Sequence, residues 1–197
     1  LMVQYFTYLK DIVTKFDFGP SIKLRGRMVI DVIADGMRTS ARLGFCAAVI
    51  ALVFGVALGA AAALGRNGFA DKAIMVLTTA FISMPSFVIG SLMVLILSVR
   101  LGWFPANGET ARGLILPIIA LSLSPMANIT RLTRSSMLDV LGQDYIRTAR
   151  AKGVPPMKII FGHALKNSLI PVITYVGPML AYIVTGSLVI EQVFAVP

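Results

Sequence analysis

Four long runs without a charged residue limit what this chain can fold into. They cover residues 43–64, 73–99, 114–130 and 168–190. A helix rises about 1.5 Å per residue, so about 20 apolar residues cross the hydrocarbon core of a bilayer, and segments from about 17 residues upward are long enough. The runs therefore predict an all-α polytopic membrane protein with four spanning helices.

The composition agrees with a protein that lies in a lipid bilayer. Hydrophobic residues make up 57% of the chain and charged residues 14%, against roughly 45–50% and about 25% in soluble domains. The formal net charge of +9 is spread over clusters between the apolar runs, with no single basic stripe and no aromatic residues interleaved. We therefore expect the bilayer, and no nucleic acid, among the partners.

The polar residues before the first run predict a turn and a surface helix. Gly19 and Pro20 both break regular structure, which predicts a turn. Apolar side chains at every fourth position, beginning with Val29 and Ile33, predict a helix over residues 28–43. We expect this helix to lie at the membrane surface before the chain turns into the first span.

The first run also repeats a small residue at every fourth position. These residues are Ala51, Gly55, Gly59 and Ala63. Within a bilayer, helices associate through close packing because lipid offers no hydrophobic drive for association. The repeat therefore predicts the face on which a neighbouring helix packs.

Polar groups and prolines inside the runs are candidates for a translocation path. Pro85 lacks an amide hydrogen and predicts a kink in the second run, where Ser83 and Ser86 can take up the freed backbone groups. Such a kink either lines a passage or is purely structural. In the third run Asn128 is costly to expose to lipid, so we expect it, together with Ser122, to face protein or a water-filled path.

The polar segment at residues 139–171 predicts a helix, a turn and a second helix. One helical face collects residues at spacings of three, four and four: Leu138, Leu141, Tyr145 and Ala149. Gly153 is suited to end this amphipathic helix, because glycine adopts the left-handed conformation common at a helix C-terminus. Pro155 and Pro156 cannot continue a helix but can open the next one near Met157.

Positive charge concentrates in the same part of the chain. Residues 131–166 hold seven Lys or Arg residues and two Asp residues. This pattern is also typical of a basic loop that only sets the topology of a membrane protein. The positive-inside rule does not choose the cytoplasmic side, since the loops on the two sides of the predicted spans hold nine Lys or Arg residues each.

This segment resembles the cytoplasmic loop of the membrane subunits of ABC importers. The general signature of that loop is Glu-Ala-Ala, three residues, Gly, nine residues and Ile-x-Leu-Pro. With Gly153 as the anchor the chain matches it at Ala149 and Leu165, and departs from it at Arg147 and His163. The stretches YIRTARAKG and HALKNSLIP are similar, nearly residue for residue, to the peptide and nickel branch of the family. Further similarity to oligopeptide permeases lies in QYFTYLK, FDFGPS, LGWFP and RLTRSSML.

The resemblance implies the type I ABC importer transmembrane fold. Residues 1–38 would form an external periplasmic loop and interfacial helix, and residues 39–197 an incomplete transmembrane domain with four of six spans. Residues 131–167 would form a cytoplasmic loop whose coupling helix docks on a separate ATPase. The residues that the resemblance assigns to this docking are Tyr145, Arg147, Ala149, Arg150, Lys152, Gly153, His163 and Leu165.

The resemblance further implies the partners and the function. The partners are a second homologous membrane subunit, two ATPase subunits and an external substrate-binding protein, with this chain as a multi-pass protein of the bacterial inner membrane. ATP and Mg²⁺ would be bound by the ATPase subunits, and this chain would bind no cofactor. The implied function is import of oligopeptides, which FDFGPSIK favours, with dipeptides, nickel and murein peptides as alternatives.

The sequence contains no recognisable catalytic or metal-binding constellation. The phosphate-loop pattern G-x-x-x-x-G-K-[ST] is absent, and the single His163 and Cys46 cannot build the usual metal clusters. We therefore expect a subunit that is not an enzyme and has neither catalytic residues nor a metal site. The rival class, an ion-coupled transporter or channel, predicts ionisable groups within the spans, and the four runs contain none.

Overall fold

The computed structural model describes residues 2–196, and within that range it contains helices but no strand. The first helix, α1 (Met2–Lys15), has no buried residue and no counterpart among the predicted elements. After α1, the amide of Gly19 donates to Oδ1 of Asp17 over 2.8 Å and Gly19 has a φ of +73°, which together form a tight turn before Pro20. An isolated antiparallel bridge then pairs Pro20 with Met28 across a second reversal of the chain at Arg25 and Gly26. The predicted turn is confirmed.

The first span belongs to α2 (Val29–Leu64), which is 36 residues long. This helix joins the predicted surface helix, residues 28–43, to the first run without a break. The predicted turn from a surface helix into the span is therefore wrong. The helix stays continuous because from Ser40 onward it packs on the bundle, where Ser40 is buried and its Oγ donates a hydrogen bond of 2.6 Å to Oε1 of Glu191, while residues 30–38 before it are largely exposed.

The second run forms a sharply bent pair of helices instead of one kinked span. Its parts are α3 (Phe69–Ser83), α4 (Ser86–Met93) and a π-helical stretch (Val94–Arg100). The segments before and after the break differ in direction by 102°. Met84 is extended, with φ −95° and ψ 128°, because the ring of Pro85 disfavours the helical conformation in the residue before it. Pro85 therefore breaks the helix, where the sequence predicted only a kink.

The third run lies in α5 (Ile115–Leu141), a helix that accommodates Pro125 and continues well beyond the run. Arg131 and Arg134, which the sequence predicts to end this span, both lie inside the helix, so α5 continues past the predicted end of the span. Arg134 is stabilised there by an ion pair with Asp71, and Arg131 is exposed. A charged side chain ends an apolar run in the sequence, but it does not by itself end a helix.

The fourth run is the last part of a helical stretch that begins at Pro156. The parts of this stretch are α7 (Pro156–Lys158), a π-helical turn (Ile159–Leu165), α8 (Lys166–Ser168) and α9 (Ile170–Val193). Over residues 2–196, three helices are long and apolar enough to cross a bilayer, or four if the bent pair is one span. The predicted all-α polytopic fold is thereby confirmed.

The helices α2 and α5 pack along the small-residue face predicted for the first run. The four small residues of that face, Ala51, Gly55, Gly59 and Ala63, are all buried. A Cβ atom added at Gly55 would lie 2.7 Å from Cγ2 of Ile129, and one added at Gly59 would lie 2.5 Å from the carbonyl oxygen of Thr130. The two backbones approach so closely that only glycine fits, which confirms the predicted packing face.

The last helix, α9, completes the bundle by packing on α2 and α5. Val172, Met179 and Ile183 of α9 form a buried cluster with Ala48 and Ile129. Burial of such side chains gives the three helices a continuous dry contact, which fixes the frame from which the polar loop before α9 projects.

Candidate functional site

The predicted docking helix is α6 (Asp144–Ala151), a separate helix that a two-residue turn joins to α5. The chain leaves α5 at Gly142, and Gln143 is extended with ψ 151°. The prediction of one amphipathic helix through Leu138 and Ala149 is therefore wrong, because the turn changes the direction of the chain between them. Glycine is a poor helix former and permits this interruption.

One side chain anchors α6 to the bundle. Ile146 is fully buried and packs in a cluster with Ala63 of α2, Met137 of α5 and Ile159 of the π-helical turn after α7. The sequence pattern placed Tyr145 on the inward face, yet 43% of the Tyr145 surface is exposed. The inward face is shifted by one residue because the turn, and not the periodicity of α5, sets the rotation of α6.

Gly153 ends α6 as predicted. Its φ is +73°, a conformation that side chains with a Cβ rarely adopt. The amide of Gly153 donates to the carbonyl of Arg150 over 3.0 Å, and the amide of Val154 donates to the carbonyl of Ala149 over 3.1 Å. This pair of hydrogen bonds is a Schellman motif, which satisfies carbonyl groups that the helix end would otherwise leave unpaired.

The second helix of the loop opens where the prolines predicted it. Pro156 occupies the first position of α7, where a proline costs no hydrogen bond. A polar contact then ties the two helices together, since Nδ2 of Asn167 in α8 donates to the hydroxyl of Tyr145 in α6 over 2.8 Å. The loop is thus held at three places: the buried Ile146, the Schellman turn and this hydrogen bond.

The outer surface of α6 is basic. Arg147, Arg150 and Lys152 are exposed. Asp144, the acid at the start of this helix, forms an ion pair with Arg147, and its Oδ1 lies 3.3 Å from Nη1 of the arginine. Both side chains of that pair are largely in solvent, so the contact contributes little to stability and leaves the guanidinium accessible. The surface is suited to an acidic partner.

The other predicted docking residues are split between the surface and the interior. Gly153 and His163 are exposed, whereas Ala149 and Leu165 are partly buried. The two partly buried residues therefore shape the loop from within, and the exposed ones present it to a partner.

The predicted path residues lie in two groups. Ser83 and Pro85 are exposed at the break between α3 and α4, and Ser86 is partly buried there. The hydroxyl of Ser83 donates to the carbonyl of Thr79 over 2.8 Å, so it does not serve the backbone groups at the break. The bent pair packs on α5, which carries the second group.

In the second group, the side chains bond within their own helix. Ser122 is 1% exposed and donates to the carbonyl of Ile119 over 2.8 Å. Asn128 is partly buried and donates to the carbonyl of Ser124 over 3.2 Å. A role of either group in a translocation path stays a prediction.

Three functional candidates were missed by the sequence reasoning: Ile146, Asn167 and Asp71. The burial of Ile146 could be predicted if Gly142 and Gln143 were taken as a turn, because the apolar face of α6 is then independent of the apolar face of α5. Asn167 lies within the similar stretch HALKNSLIP. No local signal marks Asp71, whose partner is 63 positions away.

These features define a polytopic helical membrane protein that presents a short basic helix outside its bundle. The chain belongs to the family described as binding-protein-dependent transport system inner membrane component, whose model matches residues 55–197. That range includes the bent pair, α5 and the whole loop around α6. The fold and the inner-membrane location expected from the sequence are thereby confirmed.

Several bacterial proteins that are similar to this chain are named as permease proteins of peptide transport systems. The dipeptide transport system permease protein DppB of Bacillus subtilis (strain 168) is 52% identical over 198 residues, which cover 100% of this chain and 64% of that protein. The oligopeptide transport system permease proteins OppB of Haemophilus influenzae and Salmonella typhimurium are 46% and 44% identical over 200 residues, which cover 100% of this chain and 65% of each relative. The chain therefore spans just under two thirds of the length of these relatives. The predicted similarity to peptide-branch permeases is confirmed.

Proposed function

We propose that this chain is the membrane subunit of an ATP-driven importer that moves oligopeptides across the bacterial inner membrane. The observation that supports this most is α6, a short basic helix held rigidly outside the bundle by Ile146, Gly153 and Tyr145. A loop that only sets membrane topology has no need of a buried anchor, a defined C-terminal turn and a hydrogen bond to the next helix.

The energy for transport is supplied by a separate ATPase subunit in this proposal. Two such subunits bind ATP and Mg²⁺ and close on each other, and each moves the coupling helix that is docked on it. Arg147, Arg150 and Lys152 pair with acidic groups on the ATPase surface, where oppositely charged surfaces raise the rate of encounter and select the partner.

Movement of α6 passes into the membrane through its buried contacts. Ile146 touches the ends of α2 and α5 through Ala63 and Met137, so a displacement of α6 displaces both helices. Because packed helices move as rigid pieces, the bundle rocks against a second, homologous membrane subunit. A central path between the two subunits then opens toward an external binding protein that delivers the peptide.

The second candidate substrate is a dipeptide. It is favoured by the Bacillus subtilis relative, which is named as a dipeptide permease and is 52% identical to this chain. Uptake of a labelled tetrapeptide in the presence of excess dipeptide, nickel or murein peptide separates these alternatives. Strong competition by the dipeptide alone would replace the oligopeptide assignment without changing the proposed mechanism.

A cysteine crosslink tests the docking of α6. Cys46, which is exposed on α2, is replaced by alanine, and Arg150→Cys supplies the reactive thiol on the exposed face of α6. A second cysteine lies in the acidic groove of the ATPase subunit. We expect a disulfide in isolated membranes whose yield changes when ATP is added.

The matched control is Lys10→Cys on the exposed helix α1, which the proposal places on the other side of the membrane. It should give no crosslink although its thiol reacts with an external maleimide. No crosslink from Arg150→Cys, with a reactive thiol and an assembled complex, would contradict the proposal.

A further inference from the structure

Asp71 is a buried carboxylate in the membrane subunit. It lies in the first turn of α3, and its side chain is 3% exposed. A charge in such a place is costly unless it is paired and hydrogen-bonded. The reason for its presence must therefore lie in its partners.

Both carboxylate oxygens of Asp71 are occupied. Nε of Arg134 lies 2.5 Å from Oδ1, and Nη2 of Arg134 lies 2.6 Å from Oδ2, which is the bidentate geometry that guanidinium groups form with carboxylates. The backbone amide of Asn67 donates to Oδ2 over 2.9 Å. One side chain thus joins α5 to both α3 and the connection between α2 and α3.

The ion pair lies beside the closest approach of α2 and α5. A Cβ atom at Gly59 would lie 3.1 Å from the amide nitrogen of Arg134, and 2.6 Å from Cβ of Thr133. From this crossing α5 runs on to Leu141 and then through a short turn into α6. The arginine therefore lies on the segment that connects the docking helix with the bundle.

The bent pair of helices begins beside Asp71, the other residue of the ion pair. α3 starts two residues before Asp71 and leads directly to the break at Pro85, where the candidate path residues Ser83 and Ser86 lie. α2 and α5 share a dry, close-packed contact, whereas the start of α3 is joined to α5 by a directional polar contact of two hydrogen bonds between opposite charges.

We propose that Asp71 and Arg134 are positioning residues that make α3 follow α5 when the docking helix moves. This inference rests on the proposed function, because it concerns how movement of α6 reaches the bent pair. The ion pair holds the first arm of that pair in register with α5. Without it, α6 and α5 still move, but the start of α3 follows them only through the packing of the bent pair on α5.

The test is transport by the complete complex in proteoliposomes, with ATPase subunits, binding protein and a labelled peptide. Asp71→Asn keeps the size of the side chain and an acceptor for Asn67 but removes the charge. We expect the amount of peptide imported per ATP hydrolysed to fall about tenfold, the size typical of mutations that weaken coupling between sites. Arg134→Lys, which keeps the charge but loses the bidentate geometry, should show a smaller fall in the same ratio.

The matched control is Asp139→Asn, which removes the same charge from an exposed position of α5. It should leave the ratio unchanged. A role of Asp71 in stability alone would lower the amount and the melting temperature of the complex but not the peptide imported per ATP by each assembled complex. An unchanged ratio in Asp71→Asn or Arg134→Lys would overturn the proposal.

The remaining outcomes are also decisive. If both variants of the ion pair fail to assemble, the pair is a folding element and the proposal is overturned. If the wild-type complex itself shows no ATP-driven uptake, the proposed function fails first. Failure of the positioning role alone leaves uptake by the wild type intact and makes Asp71→Asn equal to Asp139→Asn.

Discussion

Asn167 donates a hydrogen bond of 2.8 Å to the hydroxyl of Tyr145, across 22 positions of the chain. This contact joins α6 to the helical stretch that leads into α9. The docking helix is therefore connected to the membrane along two routes, through the end of α5 and through α8. A helix held on both sides transmits a push as well as a pull.

Removing this hydrogen bond should weaken transport without harming the fold. Tyr145→Phe deletes one acceptor at an exposed position, where the net loss is at the low end of about 0.5–1.5 kcal/mol because water replaces the partner. We expect peptide uptake to fall about twofold to threefold at an unchanged level of the protein in the membrane. Uptake of labelled peptide by whole cells measures this.

The control is Tyr182→Phe, which removes a hydroxyl from an exposed tyrosine of α9. Equal uptake in the two variants would mean that the bond between α6 and α8 has no role in coupling.

Ile146 provides a second test of how α6 is attached to the bundle. Ile146→Ala removes buried methyl groups from the contact with Ala63 and Met137, a change that costs about 2–5 kcal/mol in a packed core. We expect α6 to detach while the spanning helices stay folded, so that the purified protein binds less ATPase. Co-purification of the ATPase and hydrogen exchange of residues 144–151 measure the two effects.

Met157→Ala serves as the comparison, because this methionine of α7 is 64% exposed. It should leave both measurements unchanged. Full ATPase binding by Ile146→Ala would show that burial of this side chain is not what holds the docking helix.

Gly153 allows the roles of charge and backbone to be separated. A Cβ at this position meets no atom within 4 Å, so only the left-handed backbone resists substitution. Asn and Asp tolerate this conformation to a similar degree. We expect Gly153→Asp to uncouple transport by placing a negative charge beside Arg150 and Lys152, while Gly153→Asn retains most of the uptake.

Membrane insertion should be normal in both variants, which an alkylation assay of accessible cysteines checks. If Gly153→Asn loses as much uptake as Gly153→Asp, the backbone and not the charge is responsible. Normal uptake by Gly153→Asp would count against docking of this end of α6.

The sequence predicts those parts of the fold that depend on local residues. The apolar runs contain the spanning helices, the small-residue repeat with Gly59 marks a buried face, and Gly153 ends its helix with a φ of +73°. Each of these follows from a residue whose own conformation or size decides the outcome. The same holds for the turn at Gly19, whose φ is +73°.

The predictions failed where the course of a helix depends on a contact with a distant residue, or on two local effects acting together. α2 runs from Val29 into the first span without the predicted turn, and the hydrogen bond from Ser40 to Glu191, 151 positions away, is a contact that no local pattern indicates. At Pro85, the extended conformation of Met84 adds to the missing amide hydrogen, and a kink becomes a break of 102°. The docking face was misplaced because the turn at Gly142 was read as helix.

The close contact between α2 and α5 provides the sharpest test of the fold itself. Gly59→Ala places a methyl group where a Cβ lies 2.5 Å from the carbonyl oxygen of Thr130, a backbone atom that cannot rotate away. Overpacking of this kind costs about 1–3 kcal/mol. Gly36→Ala, on the same helix, has nothing within 4 Å of the added methyl group and should be neutral or stabilising by about 0.5–1 kcal/mol, because alanine favours a helix more than glycine does.

Thermal unfolding of the two purified variants in detergent compares these costs directly. We expect the melting temperature to fall for Gly59→Ala and to stay or rise for Gly36→Ala. The difference isolates the helix crossing, since both substitutions have the same effect on the backbone of one helix. Equal melting temperatures would contradict the close contact, because they would mean that a Cβ at residue 59 does not meet the carbonyl oxygen of Thr130.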